Sequence, residues 1–155
     1  METAVETKQE VHVMGWHPSF REDLIRLCQA FSDESLNEYG MGVESARMDD
    51  MIEVCKNISF FLVVDGKAVG VIGGLVVQNL TNGKSAIQEV IWYVDKAHRK
   101  HGTKLMTALE ELAKAMKIPS IVMGLMCNSM SDRLDKFYKR LGYRPFEVQY
   151  IKEIS

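Results

Sequence analysis

The segment from residue 60 to residue 94 constrains the fold of this chain more than any other part. It contains three apolar stretches of strand length that are rich in β-branched residues, at positions 60–64, 68–77 and 86–94. The turn signals Asp65-Gly66 and Asn82-Gly83 separate them, and tight turns of this kind join antiparallel strands. We therefore predict a three-stranded antiparallel meander. Gly73 and Gly74 predict a bulge, or a close approach of backbone, inside its second strand.

A short strand and two helices precede the meander. Residues 11–16 form the strand, and Ser19 followed by Glu22 matches a capping box at the start of the first helix. The apolar face of this helix consists of Phe20, Leu24, Leu27, Cys28 and Phe31. We expect a flexible stretch at 32–44 and then a shorter amphipathic helix. Its apolar face consists of Met48, Ile52 and Cys55.

A basic turn at 96–104 follows the meander and leads into a third helix, which extends to about Lys117 before Pro119. The apolar face of this helix consists of Leu105, Ala108, Leu109, Leu112 and Met116. A buried strand at 121–127 comes next.

A fourth helix and a last strand complete the predicted order. Ser131 or Asp132 caps the helix, and Gly142 ends it. Its core face consists of Leu134, Phe137 and Leu141. The alternating apolar residues of the last strand are Phe146, Val148 and Tyr150.

The resulting order, β-αα-βββ-α-β-α-β, predicts the fold class. It is an α+β domain in which helices flank one central mixed, mostly antiparallel sheet. The polar residues 1–9 are expected to be flexible, and residues 10–155 to form a single domain, since a chain of 155 residues can bury one core.

Composition and charge exclude several classes of function. The net charge is −2 without a Lys/Arg stripe, so we expect no general nucleic-acid binding, which requires neutralised phosphates. No apolar run approaches the roughly 18 residues that span a bilayer, and the N-terminus does not resemble a signal peptide. Three widely spaced cysteines without a CxxC pair predict small buried residues in a cytoplasmic protein, with neither a disulfide framework nor a metal site.

A strand, a short turn with a glycine and a helix N-terminus follow one another from residue 93 to residue 105. Free amides and the positive end of the helix dipole let such a junction bind an anion such as pyrophosphate. Four basic side chains add positive charge around it, namely Arg99, Lys100, His101 and Lys104. The residues alone are equally compatible with a junction that only turns the chain.

Two segments resemble motifs of the GNAT N-acetyltransferase superfamily, and the similarity extends over about residues 59–150. The first is Arg99-Lys-His-Gly102, which resembles the acyl-CoA signature R/Q-x-x-G-x-G/A after a strand. The second half of the signature is not matched, because Lys104 stands where the signature has a small residue. A loop that is two residues shorter, with Gly102 as its final glycine, fits the signature better. The second segment, residues 135–143, is similar to the family's FYxKLGF ending.

The resemblance implies that the pantetheine arm of CoA lies where the fourth and fifth strands separate. The coenzyme-binding residues that it implies are Trp92, Tyr93, Val94, Arg99, Lys100, His101, Gly102, Thr103, Lys104, Asn128 and Ser131. It also implies that Tyr138 is the general acid that protonates the leaving thiolate. A helix aromatic that only fills the core is the alternative for Tyr138.

Glu89 is the candidate general base, because it is a carboxylate within an otherwise apolar strand and burial raises a carboxyl pKa. A lysine-like amine with a pKa of ~10.4 is mostly protonated at pH 7. Removing its proton before attack costs roughly 4.6 kcal/mol of free energy. A group that accepts this proton is therefore required. The alternative for Glu89 is a carboxylate at the strand end that faces water or pairs with a lysine.

The leading hypothesis is an enzyme that moves the acetyl group of acetyl-CoA to a primary amine by direct attack in a ternary complex, without a metal. Acidic and aromatic residues near the first two helices would suit a cationic amine, namely Asp33, Glu34, Glu38 and Tyr39. One alternative is a protein of the same fold with a degenerate CoA loop that binds a partner. Another is a nucleic-acid-directed protein, which the net charge disfavours. A homodimer is expected from the resemblance alone.

Overall fold

The structure is a computed structural model of the chain, and it describes residues 8–128 and 131–154. Five strands form one sheet in the order β1-β2-β3-β4-β5. They are β1 Val11–Gly15, β2 Ser59–Val64, β3 Lys67–Gln78, β4 Ser85–Val94 and β5 Ser120–Val122. The first four pair antiparallel, and β5 pairs parallel with β4. The predicted α+β fold with a mixed, mostly antiparallel sheet is confirmed.

Helices cover both faces of the sheet. They are α1 Arg21–Phe31, α2 Met48–Cys55, α3 Gly102–Ala115 and α4 Ser131–Arg140. The alternating side chains of β2 divide the core, since Phe61 packs with α1 and α2 and Leu62 packs with α3 and α4. This is the pattern expected of a strand that is buried on both faces.

A β-bulge interrupts the pairing of β3 with β4, as the two glycines predicted. Gly73 pairs with Ile91 and Gly74 with Glu89, so Val90 is the extra residue on β4. A Cβ at Gly74 would lie 2.5 Å from the Gln88 carbonyl oxygen, which explains why this position has no side chain. Because a bulge shifts the alternation of side chains, it changes which face of the sheet the residues after Val90 point to.

Two predictions for the N-terminal half are wrong. The Ser19–Glu22 capping box does not form; the chain enters α1 through a 3₁₀ turn, Pro18–Phe20, where His17 Nδ1 accepts a hydrogen bond from the Ser19 amide at 3.1 Å. The 32–44 stretch, predicted to be flexible, begins with the helical turns Ser32–Leu36 and Asn37–Tyr39.

A buried side chain explains why the 32–44 stretch is structured. Ser32 Oγ accepts a hydrogen bond from the Val43 amide at 2.8 Å and closes the segment. Gly40 ends the second turn in the left-handed conformation, at φ 70°. Glycine adopts this conformation without the steric cost that a Cβ would add.

The C-terminal half differs in two elements. The strand predicted at 121–127 is limited to Ser120–Val122, because the chain moves away from β4 after three pairs. The final strand with Phe146, Val148 and Tyr150 does not form, since residues 143–154 have neither helix nor strand.

Smaller differences concern α4 and one cysteine. Tyr138, rather than Phe137, is the buried aromatic of α4, while Leu141 is exposed. Ser131 and Asp132 lie within α4 rather than capping it, and residues 129–130 lie outside the described residues. Two cysteines are buried as predicted, but Cys127 is exposed. Of the predicted flexible N-terminus at 1–9, residues 1–7 also lie outside the described part.

Candidate active site

The strands β4 and β5 separate after Gln88, near the middle of β4. They pair at Ala86–Ser120, Ile87–Ile121 and Gln88–Val122, and in the described residues this pairing goes no further. Glu89 is the next residue of β4, and the chain after β5 continues through Gly124 toward α4. We refer to the space between residues 89–94 and this loop as the β4–β5 gap.

Glu89 lies at the point where the gap begins. Its Oε2 accepts a hydrogen bond from the Gly124 amide at 2.6 Å. Burial raises the pKa of Glu89 to about 7, and the hydrogen bond from Gly124 opposes this shift only in part. A carboxyl group with this pKa exchanges protons readily near neutral pH, as a general base must.

Tyr138 approaches the same glycine from α4. Its hydroxyl donates a hydrogen bond to the Gly124 carbonyl oxygen at 2.7 Å, and the side chain is 8% exposed. Burial raises the pKa of this hydroxyl well above its ordinary value, and the neighbouring Glu89 carboxylate and Tyr143 add to the shift. Tyr138 therefore keeps its proton at neutral pH and is available as a donor.

Trp92 lines the gap from β4. Its ring centroid lies 5.8 Å from that of Phe137 and 6.0 Å from that of Tyr138. At its other edge, a Cβ at Gly102 would contact the indole ring at 3.8 Å. The indole Nε1 is buried without a hydrogen-bond partner among the described residues. Since an unpaired buried donor is costly, a ligand with an acceptor oxygen would fit at this point.

The basic turn is helical rather than an open loop. A 3₁₀ helix, Lys96–His101, runs directly into α3. The His98 amide donates to the Asp95 carbonyl at 2.9 Å, and the Gly102 amide donates to the Arg99 carbonyl. These two amides are thus used within the helix. The exposed side chains of this turn include Lys100, Thr103 and Lys104.

Arg99 contacts the end of β4 and the segment after α1. Its Nε donates to the Val94 carbonyl and its Nη2 to Glu34 Oε2, each at 3.0 Å. The guanidinium lies 5.5 Å from the ring centroid of Tyr93, whose hydroxyl donates to Glu34 Oε1 at 2.8 Å. Burial opposes ionisation of Glu34, but the hydrogen bonds from Tyr93 and Arg99 keep its pKa below the ordinary value. Arg99 therefore ties the turn to the helical segment after α1.

Comparison with known proteins identifies the family. The model of the Acetyltransferase (GNAT) family matches residues 24–143, which is most of the chain. The chain belongs to the GNAT acetyltransferase family. No curated protein matches it in sequence.

Solved structures share the GNAT fold. A ribosomal-protein-alanine N-acetyltransferase from Brucella melitensis biovar Abortus 2308 is similar with a TM-score of 0.73 at 17% identity, covering 93% of this chain and 99% of that one. An aminoglycoside acetyltransferase from an uncultured soil metagenomic sample has a TM-score of 0.69 at 21% identity, covering 95% and 99%. A GNAT-family acetyltransferase from Staphylococcus aureus Mu50 has 0.67 at 22% identity, covering 89% and 87%.

The remaining predicted site residues lie on the loop after β5, at the end of the basic turn and on α4. Asn128 Nδ2 donates to the Ser35 carbonyl at 3.1 Å and to Glu38 Oε2 at 2.7 Å, which joins the loop after β5 to the segment after α1. His101 is partly buried, and its pKa is lowered by that burial and by Lys100 and Lys104. Ser131 is a partly buried residue at the first described turn of α4.

Sequence reasoning missed Gly124 and did not predict the ion pair of Glu34. Gly124 joins the predicted acid and base, and the signal that it offers is a glycine directly after the apolar run of the fifth strand. Glu34 was assigned to an acidic rim for a cationic substrate, but its carboxylate is paired with Arg99. Asp33 and Glu38 of that rim also accept hydrogen bonds within the protein, from Asn37 and Asn128.

The described residues contain neither a three-residue metal-binding group nor a membrane-spanning helix. In the ranges 8–128 and 131–154, no three His, Cys, Asp or Glu side chains are grouped so that they could hold a metal ion. None of the helices there has the length and apolar character that crossing a bilayer requires.

Proposed function

We propose that this GNAT protein transfers the acetyl group of acetyl-CoA to a primary amine, with Glu89 as the general base and Tyr138 as the general acid. The observation that carries the proposal is their common partner. Both side chains hydrogen-bond to Gly124, at 2.6 Å and 2.7 Å, where β4 and β5 separate. One group has a pKa near neutrality and the other keeps its proton, which is the division of roles that acid–base catalysis needs.

Glu89 and Tyr138 divide the proton transfers of the reaction between them. Glu89 accepts a proton from the ammonium form of the amine, directly or through a water, so that the nitrogen lone pair becomes available. The nitrogen attacks the thioester carbonyl, a C–N bond forms and the C–S bond breaks. Tyr138 donates its proton to the departing thiolate, and the proton that the nitrogen releases as it becomes an amide restores the tyrosine hydroxyl, directly or through water. Glu89 then returns its proton to the solvent. No metal is needed in this sequence.

Three features support acetyl-CoA as the donor. Residues 90–94 of β4 have no strand partner on the side of the gap within the described residues, so an extended ligand could pair with them. The unpaired Nε1 of Trp92 offers a buried donor for an amide or thioester oxygen. Lys100 and Lys104 add exposed positive charge near the start of α3, which suits phosphate groups.

The acceptor is proposed only as a primary amine. Two structurally similar proteins are named as an aminoglycoside acetyltransferase and as a ribosomal-protein-alanine N-acetyltransferase. Aminoglycosides carry primary amines, and so does a peptide that begins with alanine. Both classes therefore belong in a test of this chain.

The decisive experiment measures acetyl transfer directly. The full chain is incubated with acetyl-CoA and a panel of amines that includes aminoglycosides, polyamines and peptides with a free N-terminus or a lysine. Release of the CoA thiol is followed with a thiol reagent, and mass spectrometry identifies the acetylated amine. We expect turnover that requires both substrates. Absence of acetyl-CoA binding by the folded protein would overturn the proposal.

The second candidate function is a partner-binding protein with a GNAT fold. It is favoured by the helical form of the 96–101 turn, in which the amides of His98 and Gly102 are used within the helix. Such a protein would bind acetyl-CoA weakly or not at all. Acetyl-CoA titration of the purified chain separates the two candidates, because only the enzyme requires the donor.

A further inference from the structure

The loop after β5 contains the residue that contacts both the proposed base and the proposed acid. Residues 123–128 of this loop follow the last pair that β5 makes with β4. The amide of Gly124 bonds to Glu89 at 2.6 Å, and its carbonyl bonds to Tyr138 at 2.7 Å. Because glycine has more backbone freedom than any other residue, its own conformation does not fix the direction of these two groups. Other contacts of the loop have to hold them in place.

Asn128 makes such contacts further along the same loop. Its Nδ2 donates hydrogen bonds to the Ser35 carbonyl at 3.1 Å and to Glu38 Oε2 at 2.7 Å. A side-chain amide nitrogen has two N–H groups, so both donors of Asn128 are used within the protein. The bond to the Glu38 carboxylate is charge-assisted and therefore the stronger of the two. The resemblance to the family implies that Asn128 binds the coenzyme, but the N–H groups that a coenzyme oxygen would need are occupied.

The segment that Asn128 contacts is itself anchored to β4. We call residues 32–39 the bridge segment; it consists of the two helical turns after α1. Glu34 in this segment accepts hydrogen bonds from the Tyr93 hydroxyl at 2.8 Å and from Arg99 Nη2 at 3.0 Å. The bridge segment therefore contacts both walls of the β4–β5 gap, one through Tyr93 and the other through Asn128.

Apolar contacts hold the loop on the opposite face of the sheet. The partly buried side chains of Met123 and Leu125 pack against the core on the side of α3 and α4. Apolar burial is non-directional, so these contacts keep the loop on the protein without fixing its exact position. The hydrogen bonds of Asn128 are directional and add this positional restraint.

We propose that Asn128 is a positioning residue for acetyl transfer, because its bonds to the bridge segment hold the loop after β5 where Gly124 contacts both Glu89 and Tyr138. The inference rests on the proposed function, since it concerns the geometry of the same base and acid. Asn128 acts on them through the loop. A misplacement of about 1 Å in an active site can cost roughly 10²-fold in rate, so a loop that shifts slows the transfer.

Amide NMR of the full chain without substrates tests the contact itself. The Gly124 amide proton is bonded to a carboxylate at 2.6 Å, so its wild-type signal should lie at low field and exchange slowly with the solvent. Asn128→Ala should move this signal toward the range of solvent-exposed amides and speed its exchange at least about tenfold. Asn128 is exposed, so the thermal unfolding of the variant should remain that of a folded domain.

Steady-state rates separate positioning from coenzyme binding. Asn128→Ala should lower kcat about tenfold and leave the KM for acetyl-CoA within about twofold of the wild-type value, because the Asn128 amide donates within the protein. A raised KM with an unchanged kcat would mean that Asn128 binds the coenzyme, and it would overturn the inference.

The matched control is Asn37→Ala in the bridge segment. Asn37 Nδ2 donates to Asp33 Oδ1 at 3.0 Å, so the variant removes an amide–carboxylate bond of the same kind that does not involve the loop after β5. It should keep the wild-type kcat and the wild-type Gly124 signal. If Asn37→Ala lowered kcat as much as Asn128→Ala, the effect would come from the bridge segment in general and the inference would be wrong.

An exchange of donor and acceptor tests the bond between Asn128 and Glu38 directly. Asn128→Asp places a second carboxylate against Glu38 and should lower kcat at least as much as Asn128→Ala does. Adding Glu38→Gln supplies an amide donor to the new carboxylate, so the double variant should recover kcat by roughly threefold or more. A double variant that is no faster than Asn128→Asp overturns the inference.

Failure of this inference is distinguishable from failure of the proposed function. A wild-type chain that binds no acetyl-CoA and shows no turnover counts against the proposed function. An unchanged Gly124 amide signal in Asn128→Ala overturns the positioning role of Asn128, whatever the turnover of the wild-type chain.

Discussion

The Glu89 carboxylate and the Tyr138 hydroxyl hydrogen-bond to opposite backbone groups of one residue. Glu89 accepts from the Gly124 amide at 2.6 Å, and Tyr138 donates to the Gly124 carbonyl at 2.7 Å. Glu89 lies on β4 and Tyr138 on α4, yet both bond to the two peptide groups that flank one residue of the loop after β5. The relative position of the proposed base and acid thus depends on the point at which β5 leaves β4.

The pH dependence of turnover should report Glu89. A base works in its deprotonated form, and the pKa of Glu89 is about 7, so kcat/KM should rise with pH and level off above that value. Glu89→Gln cannot accept a proton and should lower kcat/KM roughly 10²-fold or more while removing this acid limb. Steady-state rates from pH 5.5 to about pH 9 measure both effects. The control is Glu111→Gln on the exposed side of α3, which should keep the wild-type profile; a limb that persists in Glu89→Gln would contradict the assignment.

Two tyrosine variants separate chemistry from packing. Tyr138→Phe removes the proposed acid and should lower kcat roughly 10²-fold with little change in the KM for acetyl-CoA. Tyr143→Phe is the matched control, because its hydroxyl bonds to Glu110 outside the gap. Each variant loses a hydrogen bond and should cost about 1 kcal/mol of unfolding free energy, measured in urea. Equal kcat losses in both variants would mean that Tyr138 has only a structural role.

Trp92 should report coenzyme binding by its fluorescence. The chain has two tryptophans, and Trp16 lies against Phe61 on the α1 and α2 side of the sheet, with 5.9 Å between ring centroids. In a Trp16→Phe background, acetyl-CoA should change the emission of Trp92, because its buried Nε1 acquires a partner. The reciprocal Trp92→Phe variant retains Trp16 and should show little response. A response confined to Trp16 would place the ligand elsewhere.

The Glu34–Arg99 pair should stabilise the fold in a pH-dependent way. The pKa of Glu34 lies below its ordinary value, so its stabilisation is complete above about pH 4.3 and is lost as the pH falls through the lowered pKa. A double-mutant cycle with Glu34→Gln and Arg99→Gln, measured by urea unfolding, should give a coupling of about 1 kcal/mol at pH 7 that disappears in acid.

The control is a double-mutant cycle on Arg47 and Asp50, an ion pair whose side chains are 73% and 68% exposed. This exposed pair should show little coupling. If the cycle on Glu34 and Arg99 gave no more coupling than this control, the proposed tie between the turn and the segment after α1 would be wrong.

The sequence predicts those parts of the structure that local rules determine. Alternation and turn residues identify the meander, and Gly73-Gly74 identify the bulge, because a side chain at Gly74 would collide with the β4 backbone. The same reasoning selects Glu89, since a carboxylate in an apolar strand is anomalous whatever the tertiary structure.

The parts that the sequence does not predict depend on contacts between distant segments. The length of β5 is set by its departure from β4, and the pairing of Arg99 depends on Glu34, which is 65 residues away in the chain. Residues 146–151 have the alternating pattern of a strand, but they make no backbone hydrogen bonds within the described residues. The order in the 32–44 segment follows from the bond between Ser32 and Val43, which no local pattern indicates.

Calorimetric titration of the purified chain with acetyl-CoA tests the central claim most directly. We predict saturable binding with one site per chain, weakened at least about tenfold by Lys104→Glu and unchanged by Lys84→Glu on the distant β3–β4 turn. Arg99 is unsuitable for this test, because its substitution also breaks the pair with Glu34. A folded protein that shows neither binding heat nor thermal stabilisation with acetyl-CoA would contradict the enzymatic account and favour the partner-binding alternative.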